Sequence, residues 1–547
     1  MIWPCAFSSL ALGQRSRVAA LTALSLLTVP ATPLPAQIDP PFDILILDGR
    51  ILDGAGNPWF RGDVGIRGDR IAAVGHLPNT VGRRTINASR QIVAPGFIDV
   101  HNHSRDAMFE TPAAENFVRQ GVTSIVEGND GRSPIPLRGF LEKTAATRLA
   151  VNVGAFLGHG SVREEIVGMA DRAATPGELD QMRRLMRQGM EEGALGLSTG
   201  LFYVPGAFAP TEEVIELAKV AAQFGGMHIS HMRDETEGLL DSVRETIRIG
   251  EEGGLPTQIT HHKAIGRPAW GQTVETLRLV EEARRRGVDV SIDQYPYTAS
   301  HTGTAALFPP WAQEGGHEGL LRRLSDTATR DRVRSEVARR IEDDRGGGDA
   351  KNIQFSHCAW DASLDGKTLA DATRDRGREV NFSNAAETAL EIQEAGGCQA
   401  IYHAMNEEDV VRVMQYPGTM IASDGGIHVF GEGVPHPRYY GTFPRVLGRY
   451  VREKGVLRLE DAVRKMTSLP AQRIRQFDRG LIRPGMKADI TIFDPEKIVD
   501  RAEFGDSHQY AEGVSYVLVN GTLVLDNGVM TGERPGAILY GPGRASR

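Results

Sequence analysis

An α/β fold built on a TIM-like (β/α)8 barrel, with a small β-sandwich domain assembled from both chain ends, is what this sequence predicts. Three observations carry the prediction. Short apolar strands alternate with amphipathic helices through the middle of the chain, the alternation that yields parallel β/α units. Titratable residues recur at the C-terminal ends of those strands, where barrel chemistry sits. The stretch "DILILDGRILDGAGNPWFRGDVGIRGDRIAAVG", residues 43–75, shares a texture of short strands and Asp-Gly turns with "KADITIFDP" and "VSYVLVNGTLVLDNG" near the C-terminus.

Size and charge bound the rest. The chain has 547 residues, 24% of them charged, enough for one large and one smaller domain with a sizeable core. A net charge of −8 and the lack of a long basic run exclude a nucleic-acid surface and leave a small-molecule substrate. At the N-terminus, Arg15 and Arg17 precede "VAALTALSLLTVPATPLPAQ", which is short for a membrane span, ends in prolines and offers Ala36 as a cleavage point. Residues 1–36 thus read as an export signal peptide, giving a periplasmic or secreted mature form with no membrane attachment; an initiator methionine set too early is the alternative. Cleavage would leave Cys358 and Cys398, too few for a disulfide framework, so the fold rests on its core.

The elements follow in order. Residues 42–94 and 480–547 supply the two halves of the small β-sandwich domain, and residues 95–479 the barrel. Eight strand candidates are "GFIDVH", "TSIVEG", "NVGAFLGH", "ALGLSTG", "GMHISH", "TQITHH", "DVSIDQYPY" and "TMIASDG". One helix between them opens on the capping box Thr175-Pro-Gly-Glu178 and lays Leu179, Met182, Leu185, Met186 and Met190 along one face. The segment from about residue 300 to about 404 is too long for a connection and reads as a lid or subdomain over the strand ends.

The most informative stretch is "APGFIDVHNHSRD", residues 94–106, in which His101 and His103 are one residue apart and so face the same side of an extended strand. Alone the pair is weak. Joined by His231 from the fifth strand, His261 or His262 from the sixth and Asp424 from the eighth, it converges on one barrel mouth and predicts a divalent metal site. Imidazole and carboxylate ligands suit Zn²⁺, which lowers the pKa of bound water and supplies hydroxide. Asp424 is placed to take the proton and return it to a leaving group.

The order of sandwich half, "HNH", strand-five His, strand-six His, last-strand Asp and sandwich half resembles the amidohydrolase superfamily. In detail it resembles the D-aminoacylase (N-acyl-D-amino-acid deacylase) family. The matching stretches include "PGFIDVHNH", "GHGSVR", "GALGLSTGLFYVPGAFAPTEE", "ISHMRDE", "QITHHKAIG", "DQYPYTAS", "IASDG", "HPRYYGTFPRVLGRYVREKG" and "AEGVSYVLVNG", so the likeness covers nearly everything after the export segment. It implies that His101, His103 and Asp424 form one metal position and that His231 and His261 hold the tighter one. His261 is preferred to His262 because Lys263, two residues on, then faces the same side. The resemblance further implies that Lys263, Tyr295 and Arg438 grip a substrate carboxylate, against a surface ion pair as the alternative for Arg438, and that Tyr203 donates to the developing oxyanion. His159 in "GHGSVR" would orient a loop.

Two departures mark this chain. Where family members read "GNCG" with a cysteine ligand, it reads "GNDG", placing the carboxylate of Asp130 where a thiolate would be, with Glu127 as the rival ligand. A carboxylate is harder and can bridge two ions, which points to one or two ions of Zn²⁺ or another divalent metal. His301 stands where the family's serine contacts substrate. The activity that the resemblance implies is hydrolysis of the linear amide of an N-acyl-D-amino acid to a carboxylate and a free D-amino acid. Alternatives are a related amidohydrolase acting on cyclic amides or D-residue dipeptides, and an inactive exported binding protein.

Overall fold

The structure is a computed structural model and describes residues 42–544, so the export segment lies outside the described residues. The two chain ends meet in one sheet. Strand Ile490–Phe493 runs antiparallel to Ile92–Pro95, pairing Ile490 with Pro95 and Phe493 with Ile92, and this seam joins the N-terminal strands to Val514–Val519 and Thr522–Asp526. The nine strands are a single hydrogen-bonded network with a branch rather than two separate sheets. The branch comes from strand Phe42–Ile51. Its register breaks between Ile46 and Gly49, where Asp48 takes a left-handed φ of 61°, and it pairs with Gly82–Asn87 before the break and with Ile92–Pro95 after it. Alternating Ile44 and Ile46, Val64 and Ile66, and Ile490 and Ile492 all bury in one core, the period-2 pattern of a half-covered sheet.

All eight stretches expected to form strands do so, and their mutual pairing is parallel. Phe97–Asp99, Val122–Glu127 and Asn152–Ala155 lie side by side in one sheet. Leu157–Gly158, Gly196–Gly200, Met227–His231, Thr257–Ile259, Val290–Gln294 and Thr419–Ile421 lie in order in another. Only Phe156 separates Asn152–Ala155 from Leu157–Gly158 in the chain, and at the far side a parallel bridge links Asn102 to Gly425. One C-terminal strand departs from expectation. Ile538–Leu539 leaves the small sheet and pairs parallel with Val153 and Gly154, filling an edge that strand Asn152–Ala155 would otherwise present unpaired.

The helices start where side chains can take up free backbone amides. Helix Pro176–Glu192 has its capping box, with Thr175 Oγ1 accepting from the Glu178 N–H and the Glu178 carboxylate accepting from the Thr175 N–H. Met182, Met186 and Met190 are buried on its inner face. Gly193, with φ 114°, ends it in a conformation that side chains disfavour.

The long insertion is a subdomain with its own core. Ser300–Gly303, Gln399–Tyr402 and Ile353–His357 form a three-stranded antiparallel sheet, covered by helices that include Thr327–Asp343 and Phe382–Glu394. Asp326 and Asn381 cap those two helices, and Phe355, Ala386, Leu390 and Tyr402 pack between helices and sheet. Cys358 and Cys398 form a disulfide across 40 residues of sequence. They are no framework for the whole fold, but they staple this unit. Replacing both by serine is expected to lower the stability of the insertion by about 3 kcal/mol through the freer unfolded loop. Chemical denaturation of the oxidised protein and the double variant would measure this, and coincident midpoints would deny the bridge that role.

Candidate active site

The strand ends carry the site, and after three of the strands the chain turns sharply where the ligand side chain emerges. Asp130, His261 and Asp424 all have positive φ, of 54°, 33° and 51°, and no glycine could replace their side-chain chemistry, so strain is stored at three donors. His101 and His103 extend from strand Phe97–Asp99 to the same side, with their Nε2 atoms 3.2 Å apart. His103 Nε2 lies 3.0 Å from Asp424 Oδ1, and His101 Nε2 is 3.5 Å from the same oxygen. Across the cavity, His231 Nδ1 and His261 Nε2 are 2.7 Å apart. Between the two pairs stands Asp130. Its Oδ1 is 3.4 Å from His101 and 3.5 Å from His261, and its Oδ2 is 3.6 Å from His103 and 3.4 Å from His231. His101, His103, Asp130 and Asp424 thus form one donor group and Asp130, His231 and His261 a second, with Asp130 common to both.

These residues fit a divalent cation. Buried Asp130 Oδ1 has no hydrogen-bond partner among the described residues, and the facing His231 Nδ1 and His261 Nε2 can share only one proton between them. Charge points the same way. Burial pushes His231 down to about 4, keeping its lone pair free. Burial and Lys263 also push on His261, yet the charges of Glu235 and Asp130 outweigh them and carry it up to about 10. The surrounding carboxylates favour positive charge at this position, a demand that an ion meets. Burial would raise Asp424, but Arg438 and His101 hold it well below the usual carboxylate range.

Three buried carboxylates that the sequence motifs do not single out hold the donors in place. Asp293 Oδ1 accepts the His261 backbone N–H at 2.7 Å and lies 3.8 Å from His101 Nδ1. Asp99 Oδ2 accepts from Asn102 Nδ2 at 2.9 Å while its Oδ1 accepts the Ser423 N–H at 2.8 Å, tying the first strand to the residue before Asp424. Glu235 Oε1 accepts from Lys263 Nζ at 2.6 Å and is 3.2 Å from His261 Nδ1. Lys263 Nζ, 2.7 Å away, and Glu235 Oε1 both occupy the Nδ1 side of His261, which turns Nε2 toward the cavity. The sequence signals were faint: Glu235 follows His231 by four residues in "ISHMRDE", and Asp293 opens "DQYPY".

The candidates divide by placement. His262 turns away, with Nε2 2.7 Å from Thr276 Oγ1, which leaves His261 facing the site. Glu127 is spent on the Ser104 N–H, burial raising it to about 7, and stands in neither donor group. His159 is buried 3.0 Å from Glu213 and belongs to an Arg163–Glu213 network beside the site. A cavity of about 450 Å³ opens over the donors, walled by Tyr203, Lys263, His301 and Arg438. Tyr203 presents its hydroxyl 3.1 Å from Thr302 Oγ1, and its ring lies 4.6 Å from that of His231. Arg438 places Nη1 2.8 Å from Asp424 Oδ2. Lys263 reaches the cavity with its ammonium already committed to Glu235 and the His261 carbonyl. Tyr295 does not reach it: its hydroxyl meets Met405 Sδ at 3.6 Å and its ring backs Arg438, 4.8 Å from the guanidinium. A substrate therefore meets Arg438 before Tyr295, because the phenol is turned behind the guanidinium it supports.

Imidazoles and carboxylates gathered at the ends of parallel strands, with a cation-facing cavity above them, are the makings of a metal-dependent hydrolase. The chain belongs to the amidohydrolase family, whose description matches residues 84–525. It is 36% identical over 91% of its length to 98% of D-aminoacylase from Alcaligenes xylosoxydans xylosoxydans. It is 37% identical over 91% of its length to 96% of N-acyl-D-glutamate deacylase from the same organism. Among solved structures, N-acyl-D-glutamate deacylase from Bordetella bronchiseptica, complexed with zinc and a phosphonate mimic of the tetrahedral intermediate, is similar with a TM-score of 0.78 at 34% identity, covering 92% of this chain and 100% of that one.

Proposed function

We propose that this chain is a metal-dependent deacylase that hydrolyses the amide of N-acyl-D-amino acids to a carboxylate and a free D-amino acid. The observation that carries this reading is the pairing of a two-group donor site with Arg438 in one cavity, on a chain similar over nearly its whole length to deacylases of N-acyl-D-amino acids. His101, His103, Asp130 and Asp424 would hold one ion and Asp130, His231 and His261 a second, zinc fitting the nitrogen and oxygen donors. A bound divalent ion supplies Lewis acidity, activating water and polarising the acyl carbonyl.

The chain's own groups do the rest. Arg438 takes the substrate carboxylate in a charge-assisted hydrogen bond, its planar guanidinium held against the Tyr295 ring. That pairing divides Arg438 between substrate and Asp424, which loosens the hold on the Asp424 carboxylate and raises its basicity. Asp424 then accepts the proton of the attacking water and delivers it to the leaving nitrogen. Tyr203 Oη, on the facing wall, donates to the carbonyl oxygen as charge builds there. Lys263 and Glu235 orient His261.

The same reading takes the two parallel sheets as one closed (β/α)8 barrel, supported by the Asn102–Gly425 bridge and the one-residue step at Phe156. Under it the sheet built from both ends is a separate small domain and residues 300–404 a lid. Export to an oxidising compartment is supported by Arg15 and Arg17 before an apolar run and by the Cys358–Cys398 disulfide.

Release of free amino acid from matched N-acetyl-D- and N-acetyl-L-amino acids tests the function, with metal content read on the same zinc-loaded sample. Turnover of the D series with metal bound is expected. Equal turnover of both series, or none with metal bound, would overturn the proposal.

A further inference from the structure

Among the described arginines that line the cavity and have no part in the proposed reaction, Arg345 is the buried one. Arg345 is 2% exposed, and its Nε and Nη2 have no hydrogen-bond partner among the described residues. Asp344, its neighbour in the chain, and Glu235 supply negative charge, but the nearest carboxylate oxygen is Glu235 Oε2, 4.0 Å from Nη2, too far for a hydrogen bond. Glu235 cannot come closer without releasing Lys263 and His261, which hold its other oxygen at 2.6 and 3.2 Å. Arg438 and Lys263, in contrast, each have a carboxylate within 2.8 Å.

Arg345 is also held rigidly. It follows helix Thr327–Asp343 by two residues and precedes three glycines. A Cβ on Gly346 would stand 2.0 Å from the Ile341 carbonyl oxygen, so only glycine lets the chain fold back onto the helix end there. The Gly346 N–H donates to the Arg340 carbonyl at 3.2 Å. The guanidinium is stacked 4.2 Å from the centre of the Phe202 ring, in the segment that also carries Tyr203. Asp344 and Glu235 favour its charge, but neither takes its N–H groups, so a buried guanidinium fixed by its turn and its aromatic platform offers free donors on a cavity wall to a further anion.

We propose that Arg345 is a specificity residue that receives a second carboxylate of the substrate, so that the preferred N-acyl-D-amino acids are diacids. This rests on the deacylase reading and deepens it. Arg438, from the segment after the last parallel strand, takes one carboxylate; Arg345, from the insertion, takes the other. A planar guanidinium matches a carboxylate in a bidentate fork, and the pair forms out of bulk water. The second carboxylate belongs either to the amino-acid side chain or to a dicarboxylic acyl group, and the chemistry Arg345 offers is the same for both.

The test compares kcat/KM in three arms on the zinc-loaded full chain: N-acetyl-D-glutamate against its neutral isostere N-acetyl-D-glutamine, N-succinyl-D-leucine against N-butyryl-D-leucine, and the same pairs with Arg345→Met and Arg345→Lys. The wild type is expected to favour the acid in one of the two pairs by about 10- to 100-fold. That ratio should fall toward unity in Arg345→Met, which keeps the stem on Phe202, and be partly kept in Arg345→Lys. No preference for the acid in either pair by the wild type would overturn the proposal without any variant needing to fold. So would a ratio unchanged in Arg345→Met. Turnover of the neutral substrates alone leaves the deacylase reading standing while this one fails; no turnover of any N-acyl-D-amino acid removes both.

Discussion

Asp424→Asn is expected to lower kcat about 10³-fold, with KM changed far less, because the amide keeps the shape of the side chain but cannot carry a proton. The asparagine oxygen can still face His103 Nε2, 3.0 Å away in the native site, so the packing of the strand end has no reason to collapse. What is lost is charge. Arg438, 2.8 Å from the carboxylate, would keep its Tyr295 platform and await the substrate carboxylate unshared, which favours binding while chemistry fails. This split between kcat and KM separates a proton carrier from a merely structural carboxylate, whose loss would weaken both. Steady-state kinetics with circular dichroism on the same sample would check it. A variant that is folded, metal-loaded and undiminished in kcat would remove Asp424 from proton transfer.

Much of this architecture is legible in the sequence because it is written in local periods. Each of the eight strands is a short apolar run, and a period of two puts His101 and His103 on one side without knowledge of any partner. The Thr175–Glu178 box marks a helix start through contacts only three residues apart. What stays hidden depends on residues distant in the chain. The switch of partners in strand Phe42–Ile51 and the pairing of Ile538 with Val153 are choices among edges that no local pattern ranks. The orienting carboxylates are similar. Asp99 matters because it reaches Ser423, 324 residues away. Tyr295 shows the complementary limit: a motif places the residue at the site, but only packing against Arg438 and Met405 decides which way the hydroxyl points. Arg345 lies inside an insertion whose helices follow their own core, and nothing in its surroundings in sequence links it to the strand ends.

Asp130→Gly is expected to give a protein about as stable as the parent that is poor in metal and nearly inactive. The backbone argument comes first. Asp130 sits at φ 54°, a conformation that costs a side-chain-bearing residue about 1 kcal/mol or more and glycine little. Removing its side chain also removes a buried carboxylate whose Oδ1 has no hydrogen bond. Against both terms, burial would raise the Asp130 carboxyl but His101, His231 and His261 hold it well below its usual range, and the loss of that attraction offsets the gain in the absence of metal. The electrostatic argument runs the other way for function. Asp130 is the one member of both donor groups, within 3.6 Å of four imidazole nitrogens, so its loss leaves four crowded imidazoles with Asp424 as the sole anion among the donors. Retained metal should fall at least about 10-fold and turnover by about 100-fold or more. Asp130→Cys supplies the companion result: one soft sulfur in place of two hard oxygens should restore metal and shift competition between Zn²⁺ and Mn²⁺ toward Zn²⁺. Metal content after dialysis against both ions, alongside thermal melts of the apo-proteins, reads each effect separately. An apo Asp130→Gly melt well below the parent, or metal retained in full, would show that this carboxylate is a structural group and not the shared ligand of the site.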